Sequence, residues 1–182
     1  MKFKHKLIIA LGLIGFAIVG RLVPHLWNMT PLAAVGILAG ARLGLGWGIG
    51  VPLVAMAVSD PILGLAGLPI MLVIYFSFAL SGVIGYLMRD SKKTPTIFGG
   101  SLLSTIIFFL TTNAAVWFLT SMYSKTFSGL LASYIAGLPF LQNQIIGDLF
   151  FTASLFTVWE FGKVFAVRMK TNKLRITEEK AF

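Results

Sequence analysis

Residues 69–88 read Pro-Ile-Met-Leu-Val-Ile-Tyr-Phe-Ser-Phe-Ala-Leu-Ser-Gly-Val-Ile-Gly-Tyr-Leu-Met, 20 residues without a charge, closed by Arg89-Asp90. At roughly 1.5 Å per helical residue the run reaches about 30 Å, the thickness of a bilayer's hydrocarbon core. Lipid offers no hydrogen-bond partners to a backbone, so the run predicts a transmembrane helix. Outward from it, apolar stretches bounded by charges, prolines and glycines predict further helices at 7–20, 31–41, 47–59, 96–119 and 143–167. The fold class expected is all-α, a polytopic membrane protein of six transmembrane helices. Those at 31–41 and 47–59 are short for a bilayer. Either they extend past Arg42 and Asp60, or the other helices shelter them. Thr30-Pro31 is a good helix start, with a capping hydroxyl followed by proline.

Composition agrees. Of 182 residues 57% are hydrophobic and 12% charged, about half the charge of a typical soluble domain, roughly 25%. Six crossings consume most of the chain, which reads as one membrane domain over 1–169 and a basic cytoplasmic tail over 170–182, with no room for a soluble catalytic domain. The start, Met1 to Lys6 followed by apolar sequence, resembles a signal peptide, but no cleavage site with a polar mature chain follows, so it reads as a retained first helix. The net charge of +9 would suggest nucleic acid in a soluble protein. Position argues otherwise. Lys2, Lys4, Lys6, Arg42, Arg89, Lys92, Lys93, Lys163, Arg168, Lys170, Lys173, Arg175 and Lys180 make 13 of the 15 basic residues, all on one side of a six-span topology. Only Arg21 and Lys125 fall opposite. Basic loops mark the cytoplasm, so both termini are expected inside, with no nucleic-acid partner.

The outer loops are then 21–30, 60–68 and 121–142, the last with an apolar stretch at 128–141 that predicts a short interfacial or re-entrant helix. Polar and aromatic residues collect on this face: Arg21, His25, Trp27 and Asn28 from the first helix end and loop, Asp60 from the third helix, Asn113 and Trp117 from the fifth, and Tyr134, Asn143, Gln144 and Asp148 around the start of the sixth. Ionisable groups in spans are costly and invite function. Each has a plainer reading too. Trp27, Trp117 and Tyr134 suit headgroup-level anchors, Asp60-Pro61 suits a helix cap, Asp148 suits a pair with Arg21, and Asn113 suits a bridge between helices. Together they predict a pocket for a small molecule. Glu160 and Lys163 are spaced for a local ion pair. Ala33, Gly36 and Gly40 form a small-residue face for close packing, within the chain or against a partner.

Catalysis is not expected: no His-Glu-x-x-His, P-loop or dinucleotide-binding glycine motif occurs. Without cysteine, and with His5 and His25 on opposite sides, neither a metal centre nor a bound cofactor is expected.

The run 21–41, with Pro24-His25-x-x-Asn28-x-Thr30-Pro31, then Ser59-Asp60, Thr112-Asn113-Ala114-Ala115-Val116-Trp117, Gly137-Leu138-Pro139-Phe140 and Gly147-Asp148, resembles a family of small prokaryotic membrane proteins assigned only in general terms to transport. That family in turn resembles the substrate-binding S components of energy-coupling factor transporters. The resemblance implies six helices, cytoplasmic termini in a prokaryotic plasma membrane, a vitamin or other micronutrient bound at the outer face, and an energising membrane subunit with ATPases as partner. The first helix offers Ala10, Gly12, Gly15 and Ala17 but lacks the Ala-x-x-x-Ala spacing used for docking on that subunit, so a solitary transporter or another partner stays open. The alternative is a non-transporting scaffold or assembly subunit that uses its small-residue faces to bind another membrane protein.

Overall fold

A computed structural model describes residues 1–24, 26–91 and 93–179. Among them the chain forms helices α1 (Phe3–Leu22), α2 (Leu32–Leu43), α3 (Leu45–Leu63), α4 (Leu68–Leu87), α5 (Thr94–Leu119) and α6 (Phe127–Glu179), with no strand. Five are long and apolar enough to cross a membrane; the 12-residue α2 is not. The all-α, multi-pass reading of the sequence holds.

The boundaries follow local chemistry. α1 ends where Val23, extended at φ −71° and ψ 139°, precedes Pro24, because a residue before proline is pushed out of the helical region. α2 and α3 are separated by Gly44 alone, at φ 113°, a conformation open to glycine at little cost. The two options for the short helices each apply once. α3 runs on through Asp60 and Pro61 to Leu63, so Asp60 is a helix residue and caps nothing. α2 gains only Arg42 and Leu43, and every residue in it except Arg42 is buried.

That burial reflects its central place. α1, α3, α4, α5 and α6 pack in sequence around α2, which touches all of them. Glycines let the backbones close: a Cβ added at Gly40 would overlap the Gly82 carbonyl, one at Gly82 the Gly48 carbonyl, and one at Gly85 the Ile37 backbone. Such contacts gain dispersion where lipid supplies no hydrophobic drive between helices. Ala33, Gly36 and Gly40 are therefore all buried inside the chain, and this face is not free for a partner.

The expected outer segment 121–142 is corrected. From Phe127 the chain is already helical, and it stays so through Pro139; Tyr134 is on α6, in one helix with Asn143 and Gln144, not in a loop. Proline removes one backbone hydrogen bond, but the turn is held from outside. Ser133 Oγ donates to the Asn113 carbonyl at 3.0 Å, Tyr134 donates to the Leu110 carbonyl at 3.0 Å, and Gly137 is pressed against the Asn113 side chain.

Candidate functional site

α2 is about 18 Å long at 1.5 Å per residue, shorter than the helices around it, so the ring is hollow beyond its first residue. The hollow is a cavity of about 580 Å³ at the end that holds Arg21. Leu32 of α2 forms part of its lining; Arg21, Leu63, Ile74, Phe78, Phe108 and Gln144 line it from the other helices, and Trp27, Asn28 and Thr30 from the loop between α1 and α2. Phe78 and Phe108 pack with centroids 4.9 Å apart. Trp27 is 76% exposed and meets Phe140 edge-on at 6.3 Å. Asn28 adopts φ 63°, a left-handed conformation that asparagine tolerates better than most residues, and Met29 packs on Gly147 of α6. A side cleft of about 110 Å³ adjoins, sharing Asn28, Phe108 and Gln144 and adding Asn113, Phe109 and Gly137.

Arg21 is held from behind. Its guanidinium pairs with Asp60 Oδ1 at 2.6 Å and hydrogen-bonds Ser59 Oγ, while Tyr75 donates to Asp60 Oδ2 at 2.7 Å. The carboxylate therefore has a partner on each oxygen and does not line the cavity; it positions the arginine that does. The pairing of Arg21 with Asp148 considered from sequence is not formed. Asp148 is 2% exposed between α5 and α6, with Thr105 Oγ1 donating to it at 2.6 Å and the buried Gln144 one turn away on α6.

The other expected residues divide. Asn113 lines the side cleft but spends its amide on the Phe109 carbonyl at 2.8 Å. Trp117 donates to the Ser124 carbonyl at 2.9 Å, and Lys125 bonds the last carbonyls of α5, so both finish a helix rather than face the cavity. Tyr134 fastens α6 to α5 and rests on Phe109. Asn143 is half-buried and lines neither cavity. His25 lies outside the described residues. The sequence reading did not single out Phe78 and Phe108, aromatic residues inside apolar runs that carry no local signal. Of the two neighbours in the polar cluster, Asn143 and Gln144, the latter lines both the cavity and the side cleft.

At the opposite end a second cavity, about 590 Å³, opens between α5 and α6, lined by Arg42, Thr94, Phe98, Thr152, Phe156 and Glu160 among others. Glu160 pairs with Lys163 at 2.7 Å, as its spacing predicted, and lies 3.5 Å from Arg42.

Fold and site together define a multi-pass α-helical membrane protein with a central short helix and a cavity at each end. The chain belongs to DUF6580, a family of unknown function, whose model matches residues 1–170. No curated protein and no solved structure matches it.

Proposed function

We propose that the protein is a non-enzymatic membrane transport protein that captures a small, vitamin-like or micronutrient molecule in the cavity beside Arg21, in the manner of an S component of an energy-coupling factor transporter. One observation carries the reading: the hollow beyond α2 has the size of a small-molecule site, roughly 300–1,000 Å³, and combines aromatic walls at Phe78 and Phe108 with polar groups at Arg21, Asn28 and Gln144. The first amides of α2 lack partners one turn back and carry the positive end of the helix dipole. With Arg21 they favour a ligand that presents an acceptor or an anionic group. The basic residues at the Arg42 end orient that end to the cytoplasm of a prokaryotic cell and the cavity outward.

A scaffold role loses its main surface, because Gly36 and Gly40 are consumed within the bundle. Energy for release comes from a membrane subunit with ATPases or from an ion gradient. The test is native mass spectrometry of the detergent-purified protein for co-purified ligand, with thermal-shift screening against B vitamins and related micronutrients. A ligand that stabilises the wild type and not Phe108→Ala supports the reading. A screen with no shift, and no bound molecule, defeats it.

A further inference from the structure

Between the two cavities the α5/α6 interface carries a line of buried hydrogen-bonding side chains. Gln144, on the wall of the Arg21-end cavity, stands one helical turn from Asp148 on α6; Asp148 meets Thr105; one turn on, Ser101 and Thr152 hydroxyls lie 3.1 Å apart, and Thr152 lines the second cavity. Gln144 and Asp148 are 3% and 2% exposed, and the other three are fully buried. From Gln144 to Thr152 along α6 is about 12 Å, so these side chains span the distance between the cavities.

Among the described residues Asp148 has no counter-charge. α5 contains no ionisable residue, α2 only Arg42, which lies over Phe156 and beside Glu160, and α1, which reaches α6 through Phe16 against Phe151, has its nearest cation, Arg21, on Asp60. Lys6 at the far end of α1 bonds the Leu43 carbonyl. Ionisable groups inside a membrane bundle are costly and mark ion pathways and proton relays. The Thr105 hydroxyl is suited to both protonation states. Its oxygen lies 2.6 Å from Asp148 Oδ2 and 3.0 Å from the Ser101 carbonyl, and it has one proton to give. It can donate to an ionised Asp148, or rotate towards Ser101 and accept from a protonated one.

We propose that Asp148 is a proton-carrying site, loaded from the Arg21-end cavity past Gln144 and emptied through the Thr105, Ser101 and Thr152 hydroxyls towards the second cavity. The proton comes from water in one cavity and leaves to water in the other. The line is broken at one step, since Thr105 reaches the Ser101 backbone carbonyl and not its hydroxyl. A resting break prevents leakage, and helix movement during transport joins the two halves. The purpose of the proton, to drive release of cargo, rests on the transport reading; the site itself does not.

Infrared difference spectroscopy of the full chain in lipid nanodiscs, stepped in pH with no cargo present, reads the carboxyl directly. The wild type is expected to show a protonated-carboxyl band that fades as pH rises and that Asp148→Asn lacks. Thr105→Val shifts the frequency of that band, and Gln144→Ala speeds its response to deuterated buffer tenfold or more. A wild type without the band, a band retained in Asp148→Asn or a frequency indifferent to Thr105→Val overturns the site; unchanged deuterium exchange in Gln144→Ala overturns the route. An absent band beside a successful ligand screen sinks this inference alone. An intact band beside a failed screen sinks only the transport reading.

Discussion

Arg21 on α1 and Asp60 on α3 are joined by an ion pair at 2.6 Å, their side chains only 15% and 9% exposed, and this contact fixes the guanidinium at the edge of the cavity. Breaking a buried pair from one side leaves a charge without compensation, at a cost of about 3 kcal/mol. Arg21→Ala should therefore destabilise the detergent-solubilised protein by roughly that much, and adding Asp60→Ala should recover half or more. The measurement is a double-mutant cycle by denaturant or thermal unfolding; a double variant no more stable than Arg21→Ala would mean that the pair is not what holds α1 to α3.

The glycine crossing makes a second prediction. Gly82 faces the Gly48 backbone with no room for a methyl group, whereas nothing lies within 4 Å of a Cβ placed on Gly12. Forcing a methyl into a packed contact costs about 1–3 kcal/mol, while alanine for an exposed helical glycine gains about 0.5–1 kcal/mol. Unfolding of Gly82→Ala and Gly12→Ala should shift in opposite directions. Equal shifts would show that α2, α3 and α4 do not meet as closely as described.

Asn28 allows conformation and contact to be separated. At φ 63° alanine is strained by about 1–2 kcal/mol, and glycine is not. Asn28→Gly should keep the thermal stability of the wild type while Asn28→Ala loses some, and both should bind the ligand about tenfold more weakly, equivalent to about 1.4 kcal/mol. Wild-type affinity in Asn28→Gly would remove the amide from the binding site.

How far the sequence could be read depended on whether the deciding physics was local. Hydropathy and helix length are local, so 69–88 and its neighbours emerged as helices within a few residues. The separation of 128–141 from 143–167 does not hold, because Pro139 is carried inside one helix by supports outside the segment: Ser133, Tyr134 and Gly137 find theirs on α5, about twenty residues or more back in the chain. From sequence Asp148 suits a pair with Arg21 and Asp60 a helix cap, and the structure pairs Asp60 instead. Which of them is paired follows from α1 packing along α3, whereas α1 meets α6 through Phe16 against Phe151. Phe108 faces the cavity only because α2 is short enough to leave it uncovered, a relation between elements that no window of sequence contains.

The same separation of local from tertiary information gives the orientation its test. The chain has no cysteine, so a single introduced thiol reports one place without background. Leu65 is 67% exposed in the link between α3 and α4, at the Arg21 end, and Ser91 lies in the link between α4 and α5, beside Arg89 and Lys93. If basic links stay in the cytoplasm, a membrane-impermeant maleimide added to intact cells should label Leu65→Cys, and should label Ser91→Cys only after the membrane is opened. The reverse pattern would turn the Arg21 cavity inward and exclude it as a site of capture from outside; labelling of both in intact cells would mean that the protein is not held in one orientation.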